Sequence, residues 1–211
     1  MRKWFPILPV LTAFLVSAWL YPQLPARVAT HWDLHGQPNG YSSRLVAALL
    51  VPGMAVALWG LLRFIPRIDP HRENYARFQG TYDLVIAAIV TFLCAIHVMV
   101  LGTAVGWPMP DLARTVPVGV GILTIIVGNV IPRARPNWWF GIRTPWTLSS
   151  DTVWARTHRV GGYLLTAAGV IALLSAFLPP AVGTVVLLVA VGGASLGSVV
   201  YSYFTWRGEQ P

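Results

Sequence analysis

From residue 160 to residue 206 the chain has no acidic or basic side chain. A run of this length exceeds a single membrane crossing, which takes about 20 apolar residues. Pro179-Pro180 lies within it, and two consecutive prolines end a helix because neither has a backbone N–H to donate. The run therefore predicts two membrane-spanning helices that meet at these prolines.

The composition of the whole chain also indicates a bilayer environment. Only 10% of the 211 residues are charged and 55% are hydrophobic, whereas a soluble domain usually has about 25% charged residues. So few charges cannot cover the surface of a soluble protein of this size. We predict an all-α fold, a polytopic membrane helical bundle, whose apolar surface is solvated by lipid.

Four further apolar stretches bring the expected number of transmembrane helices to about six, in a single membrane domain over residues 1–211. The first stretch follows Arg2 and Lys3, and it also fits a cleaved signal peptide. Two connections are long, an outer loop at 22–44 and an inner loop at 133–159. The predicted spans are about 5–21, 45–65, 84–106, 115–132, 160–178 and 181–204.

The basic residues set the predicted orientation, because cytoplasmic loops of membrane proteins are enriched in Lys and Arg. With both termini inside the cell, 12 of the 15 basic residues lie in inner segments, and only Arg27, Arg44 and Arg114 lie outside. In a soluble protein the net charge of +8 would suggest nucleic-acid binding. Here topology accounts for the charge, so we expect no direct nucleic-acid binding.

The outer loop contains the candidate ligand-binding residues His31, Trp32, Asp33, His35 and Gly36. In an extended segment His31, Asp33 and His35 share one face, since side chains alternate. Two imidazoles and a carboxylate at this spacing can bind zinc. Two other interpretations stay open, a hydrogen-bonded loop that packs on the helix ends and an outward-facing site for a polar or peptide ligand.

The inner loop is rich in arginine, aromatic residues and proline. Three prolines prevent one long helix, while Ser149 or Ser150 can cap the next helix, on which Trp154 and His158 are neighbours. The composition suits the lipid headgroup layer, with rings at the interface and guanidinium groups on phosphates. A docking surface for a cytoplasmic partner is the alternative, and the composition leaves both open.

Two ionisable residues, Asp83 and His97, fall at or within the third span, where such groups are costly and are candidates for function. They are separated by roughly 21 Å along a helix and lie on nearly the same face. Asp83 is at the inner end, where water can reach it. His97 is deeper, and its alternatives are a hydrogen bond to a neighbouring helix and a role in proton transfer or ligand binding.

No motif of an enzyme is evident. The sequence has no recognisable nucleophile–base pair, phosphate-binding loop or HExxH motif, and its single cysteine, Cys94, excludes an intrachain disulfide. We therefore expect a protein that is not an enzyme. Small residues four apart, at Gly102 and Gly106 and at Gly193 and Gly197, permit close helix packing, although this spacing is frequent by chance.

Two blocks of sequence together resemble the SdpI-type bacterial immunity proteins. The more specific inner block consists of Gly128-Asn129, Pro132-Arg133, Asn137, Gly141-Ile142-Arg143-Thr144-Pro145-Trp146-Thr147-Leu148, Trp154, His158-Arg159 and Gly161. The outer block consists of Leu24-Pro25, Thr30-His31-Trp32-Asp33 and Gly36-Gln37-Pro38. It is similar to a domain of unknown function found at the front of such proteins, although Asp33 stands where the family often has Asn and His35 is additional.

The resemblance implies a multi-pass protein of the bacterial cytoplasmic (inner) membrane that has no cofactor. It also implies an immunity protein that gives resistance to a secreted toxic peptide and recruits a cytoplasmic winged-helix repressor. The partners would then be the lipid bilayer, the peptide toxin and the repressor, and a homo-oligomer stays open. The signature residues are Asn129, Pro132, Asn137, Gly141, Arg143, Thr144, Pro145, Trp146, Trp154, His158 and Arg159.

Two other functions fit the same sequence. A small transporter or channel would place Asp83 and His97 along its path. A metal-dependent membrane enzyme would use His31, Asp33 and His35 as ligands.

Overall fold

The structure is a computed structural model that describes residues 4–209. Five of its helices are long and apolar enough to cross a bilayer, and a shorter apolar helix precedes them. The predicted helical membrane bundle is therefore confirmed. The elements are α1 (Ile7–Leu20), β1 (Arg27–Trp32), β2 (Pro38–Ser43), α2 (Arg44–Ile68), α3 (Tyr75–Ala104), α4 (Leu112–Val130), α5 (Pro145–Ser149), α6 (Asp151–Ser175) and α7 (Pro180–Arg207).

The first helix is shorter than the others. Its 14 residues span about 21 Å at the α-helical rise, and a 3₁₀ turn at Tyr21–Gln23 adds about 6 Å. Val10 and Ala13 of α1 are buried in one apolar cluster with residues of α2 and α3. The α1 segment is thus an integral part of the bundle core, while Arg2 and Lys3 lie outside the described residues.

The helices pack as two groups. Helices α1 and α2 lie mainly against α3, and α6 lies between α4 and α7. The α3 and α4 helices contact each other and join the two groups. Each group contributes one of the two long connections, so the outer loop belongs to the first group and the inner loop to the second.

A pair of glycines on each helix brings α4 and α6 close together. An added Cβ at Gly121 would lie 2.8 Å from the carbonyl oxygen of Gly169, and one at Gly128 would lie 2.8 Å from that of Gly162. The reciprocal additions on α6 would be equally close, at 2.7 Å. Only a hydrogen in place of a side chain permits this backbone approach, which is the usual basis of tight helix packing in membranes.

The predicted glycine contacts differ from this arrangement. Gly193 and Gly106 face open space, with no atom within 4 Å of an added Cβ. Gly102 faces the side chains of Trp107 and Met109 in the connection that follows α3. An added Cβ at Gly197 would make an ordinary contact with Leu164 at 3.7 Å, and the close contact between α4 and α6 is made by glycines seven residues apart.

The outer loop forms a β-hairpin, which adds a small antiparallel sheet to the helical bundle. Strand β1 pairs with β2 from Arg27 opposite Ser43 to Trp32 opposite Pro38, with irregular register around His31. Val28 of β1 is buried in an apolar cluster with residues of α1, α2 and α3. This contact holds the hairpin on one end of the bundle, which we call the hairpin end.

The opposite end carries the links at 69–74 and 131–150, which lie between α2 and α3 and between α4 and α6. We call it the arginine-rich end. The Ser150 hydroxyl accepts the Val153 N–H at 3.2 Å and caps α6, as the sequence predicts. Helix α6 begins at Asp151, so its first turns belong to the stretch identified in the sequence as the inner loop.

Candidate functional sites at the two ends of the bundle

The turn of the hairpin is organised by Asp33. Its carboxylate accepts the backbone N–H groups of His35 at 2.8 Å and Gln37 at 2.9 Å, and Gly36 adopts a positive φ of 78°. The Gln37 hydrogen bond is the main cause that holds the pKa of the Asp33 carboxyl below its ordinary value. The carboxylate is therefore a structural element of the turn as well as a surface charge.

The extended face expected for His31, Asp33 and His35 is not formed, because strand β1 ends at Trp32. The His31 ring bonds to the Asn39 side chain at 2.5 Å. The His35 ring is largely exposed and lies 4.0 Å from Asp33. Within residues 4–209 no three His, Cys, Asp or Glu side chains are placed to hold a metal ion.

A cavity of about 410 Å³ lies beneath this turn. Its walls come from the outer parts of α3, α4 and α7 and are mainly aliphatic, and its polar rim comes from the hairpin. The tip of the turn rests on the start of α4, since an added Cβ at Gly36 would lie 2.7 Å from Ala113. The lining includes Trp32, Asp33, Val100, Val116, Val120 and Leu187. An apolar cavity with a few polar groups at one side is typical of a ligand site.

At the arginine-rich end the fully buried side chain of Asn137 organises the loop before α5. Its amide nitrogen donates to the carbonyls of Arg135 at 2.8 Å and Phe140 at 2.9 Å. Its amide oxygen accepts the N–H groups of Trp139 at 2.9 Å and Phe140 at 2.6 Å. One side chain thus replaces the regular backbone hydrogen bonds that this proline-rich segment cannot make.

Asp69, at the end of α2, connects the same loop to the first helix group through hydrogen bonds. This carboxylate is 2% exposed and accepts the Trp138 N–H at 3.0 Å and the Tyr75 hydroxyl at 2.9 Å. The Asn74 side chain adds a bond to the Pro136 carbonyl at 2.7 Å. No local sequence pattern identifies Asp69, because it is far along the chain from residue 138 and the two meet only in the folded bundle.

His158 fastens the loop to the second helix group. Its Nε2 accepts the N–H of Ile142 at 3.0 Å, so its Nδ1 carries the proton and donates to the Trp154 carbonyl at 2.8 Å. The His158 and Trp154 rings stack with their centres 4.0 Å apart. The Trp154 indole N–H donates to the Ala134 carbonyl at 2.9 Å. Gly141 adopts a φ of 120°, and an added Cβ there would overlap His158 Nε2.

The short helix α5 is held at its start by Thr144 and Thr147. Their hydroxyls and backbone N–H groups form a reciprocal capping box, and Pro145 occupies the first turn, where its missing N–H costs nothing. The Thr144 hydroxyl also bonds to Ser202 of α7 at 3.0 Å. Trp146 packs edge-on against Tyr203 with ring centres 5.1 Å apart, so α5 is attached to the last helix.

Two segments of the chain, one in each half, match known protein families. The sequence model of the SdpI/YfhL protein family matches residues 133–202, and that of a domain of unknown function, DUF1648, matches residues 8–56. The immunity protein SdpI of Bacillus subtilis (strain 168) is 29% identical over 175 residues, which are 81% of this chain and 80% of that protein. The chain belongs to the SdpI-type family. No solved structure matches it.

Most residues of the SdpI-type signature are either buried or exposed, and Gly141 and Trp146 are half-buried. Asn137, Thr144, Trp154 and His158 are buried and hold the loop in place through the bonds given above. Asn129 does not join them, because it is exposed and donates to the Ile125 carbonyl of its own helix at 2.8 Å. The exposed members are Asn129, Pro132, Arg143, Pro145 and Arg159.

The outward surface of the SdpI-type loop is basic and aromatic. Trp138 is 54% exposed and Trp139 is 48% exposed. Arg143 lies beside them and donates to the Trp138 carbonyl at 2.9 Å. Arg133 and Arg135 are also exposed, so this surface can meet anionic lipid or a protein partner.

Asp83 and His97 of α3 have separate partners. Asp83 is 4% exposed, forms an ion pair with Arg63 of α2 and accepts the Gln79 side-chain N–H at 2.7 Å. Burial and this pairing replace the contact with water expected from the sequence. His97 Nε2 lies 2.7 Å from the Ser17 hydroxyl, which donates to the Ala48 carbonyl at 2.8 Å. No local sequence pattern identifies Ser17 or Arg63, because their partners lie on other helices.

Proposed function

We propose that this chain is an immunity protein of the bacterial cytoplasmic membrane that protects its cell from a secreted toxic peptide. The observation that carries the proposal is its similarity to the immunity protein SdpI of Bacillus subtilis across 81% of the chain. One family match includes the hairpin between α1 and α2, and the other includes the arginine-rich loop before α5. A receptor that meets a peptide on one side of the membrane and a partner on the other needs two such surfaces.

The hairpin end is the side on which we propose that the peptide binds. The distribution of arginine and lysine predicts that this end faces the exterior. A membrane-active peptide combines apolar side chains with polar or charged groups. The aliphatic walls of the 410 Å³ cavity suit the former, and Asp33 and the exposed hairpin rim suit the latter.

The arginine-rich end is the side on which we propose that a cytoplasmic winged-helix repressor is recruited. Exposed tryptophan and arginine side chains are enriched at the energetically important centres of protein interfaces. Trp138, Trp139 and Arg143 supply such a group on a loop that buried bonds hold in one conformation. Linking the two ends requires two arrangements of the bundle with different affinities for the peptide and for the repressor.

The protective function is tested by deleting the gene in its own organism. The deletion strain and its parent are then treated with concentrated spent medium from a culture of the parent. We expect the medium to inhibit the deletion strain alone, and we expect a plasmid copy of the wild-type gene to restore growth. Equal growth of both strains across the dilution series would contradict the proposal.

Separation of the two surfaces is tested with Arg143→Ala and Trp146→Ala in the same complementation strain. We expect both variants to protect the cells but to lose recruitment of a cytoplasmic repressor to the membrane. Recruitment is measured by fractionating the cells and identifying the cytoplasmic proteins that remain with the membranes. The matched control is Arg207→Ala on α7, outside the loop. Equal loss of protection and recruitment at normal membrane levels of the variant protein would argue against separate surfaces.

A further inference from the structure

A second cavity lies at the arginine-rich end, between α2, α3 and the residues that precede α1. Its volume is about 520 Å³, within the range of small-ligand sites. It is distinct from the signature loop and from the hairpin-end cavity, since none of their residues lines it. Its main lining side chains are Trp4, Trp59, Arg63, Arg67, Gln79 and Tyr82.

The polar groups of this cavity are chiefly hydrogen-bond donors. No acidic side chain lines it in the part of the chain that the structure describes. Arg63 is neutralised by Asp83, which lines a neighbouring cavity instead. Arg67 has no carboxylate within ion-pair distance among residues 4–209, so the cavity keeps a net positive charge.

A buried donor without a partner lies in the same wall. The indole N–H of Trp59 is buried and makes no hydrogen bond within the described residues. Buried polar groups are normally satisfied, since leaving one unpaired is costly. Trp4 packs edge-on against the Trp59 ring with centres 6.2 Å apart and is itself largely exposed, so it forms the rim of the cavity.

We propose that this cavity binds the phosphate-bearing headgroup of an anionic phospholipid. A guanidinium group matches a phosphate through two parallel hydrogen bonds, and tryptophan rings favour the interfacial depth at which headgroups lie. The arginine-rich end is predicted to face the cytoplasm, where anionic lipids are present in the adjacent leaflet. Arg67 supplies the charge, Trp59 supplies a further donor, and Trp4 covers the start of the acyl chains.

The proposal does not depend on the immunity function, because it concerns Trp4 and residues of α2 and α3 that lie apart from both surfaces described above. It predicts a lipid preference of the purified protein itself. A structural role for the same arginine would change stability without selecting among headgroups. Lipid selectivity is therefore the quantity to measure.

The test is native mass spectrometry of the full-length protein in detergent, titrated separately with dioleoylphosphatidylglycerol and dioleoylphosphatidylcholine. We expect the anionic lipid to bind about 10-fold more tightly than the zwitterionic lipid, because one charge-assisted hydrogen-bonded pair contributes about this much affinity. Arg67→Gln should remove most of this preference. Trp59→Phe retains an aromatic ring but removes the indole N–H, and it should weaken binding of the anionic lipid by about 3- to 10-fold.

Arg156→Gln is the matched control, because Arg156 is an exposed arginine near the start of α6 at the same end. It should leave the preference unchanged. Equal affinity of the wild type for the two lipids would overturn the proposal, as would equal losses in Arg67→Gln and Arg156→Gln. Removal of the preference by inorganic phosphate at millimolar concentration would assign the site to free phosphate and overturn the lipid assignment.

Discussion

The buried Nε2 atom of His158 on α6 accepts the backbone N–H of Ile142 at 3.0 Å. This bond joins a membrane helix to the loop that follows α4, and it fixes the histidine as the tautomer protonated on Nδ1. The Nδ1–H group then donates to the Trp154 carbonyl at 2.8 Å. The imidazole therefore bridges a helix carbonyl and a loop amide, a role that requires one donor and one acceptor on the same ring.

His158→Ala should destabilise the protein by about 2–4 kcal/mol, because it leaves a cavity against Trp154 and removes the acceptor of the Ile142 N–H. The measurement is reversible unfolding in mixed detergent and sodium dodecyl sulfate, followed by tryptophan fluorescence. Arg159→Ala is the neighbouring control, and its exposed side chain should change stability by less than about 0.5 kcal/mol. Similar effects of the two substitutions would contradict the bridging role.

Two signature asparagines should respond differently to the same change. Asn137→Ala removes four backbone hydrogen bonds from a buried position and should cost about 2–4 kcal/mol. Asn129→Ala removes one bond to its own helix at an exposed position and should cost less than about 1 kcal/mol. The same unfolding experiment compares them, and a larger effect at Asn129 would refute the assignment.

Close contact between α4 and α6 should make Gly128 intolerant of a side chain. Gly128→Ala places a methyl group 2.8 Å from the Gly162 carbonyl oxygen and 2.6 Å from the Thr166 nitrogen, so the helices must separate, at a cost of about 1–3 kcal/mol. Gly193→Ala meets no atom within 4 Å and should be neutral or stabilising by up to about 1 kcal/mol. Equal tolerance at both positions would show that the helices are not this close.

The hairpin turn should lose stability in acid. Hydrogen bonds from Gln37 and His35 lower the pKa of the folded Asp33 carboxyl, so the folded state favours the carboxylate. Its stabilising contribution is present at neutral pH and is lost as the pH falls through the folded-state pKa. Carbon-13 NMR of the Asp33 carboxyl should show titration below its ordinary value of about 3.9.

Asp33→Asn provides the control for this titration, since the amide oxygen can still accept both N–H groups but does not ionise. The backbone amide shifts of residues 35 and 37 should then stay constant between about pH 5 and pH 2. If the wild-type carboxyl titrated at or above its ordinary pKa, the hydrogen bonds of the turn would be absent in solution.

The local pattern of the sequence predicted much of the fold. Long apolar runs and Pro179-Pro180 identified the helices of the bundle, and Ser150 marked the start of α6 because an N-cap acts on residues three positions away. The i,i+4 spacing placed Trp154 and His158 side by side. These features depend on neighbours along the chain, which a sequence displays directly.

Contacts between distant segments could not be derived in the same way. No local sequence pattern predicts the contact of Asp69 with residue 138 or that of Ser17 with His97. These residues are far apart in the sequence and meet only when the helices pack. The spacing of His31, Asp33 and His35 also suggested an extended face, whereas the hydrogen bonds accepted by Asp33 turn the chain there. A repeat of seven between the glycines of α4, and again between those of α6, was a signal that the sequence did contain.

We infer that the hairpin end and the arginine-rich end face opposite sides of the membrane, with the hairpin outside. Single cysteines at Asn39 and Trp139, both exposed, are introduced in a Cys94→Ala background and treated in intact cells with a membrane-impermeant maleimide. We expect labelling at position 39 in intact cells and labelling at position 139 only after lysis. Labelling at position 139 in intact cells, with position 39 protected until lysis, would contradict it.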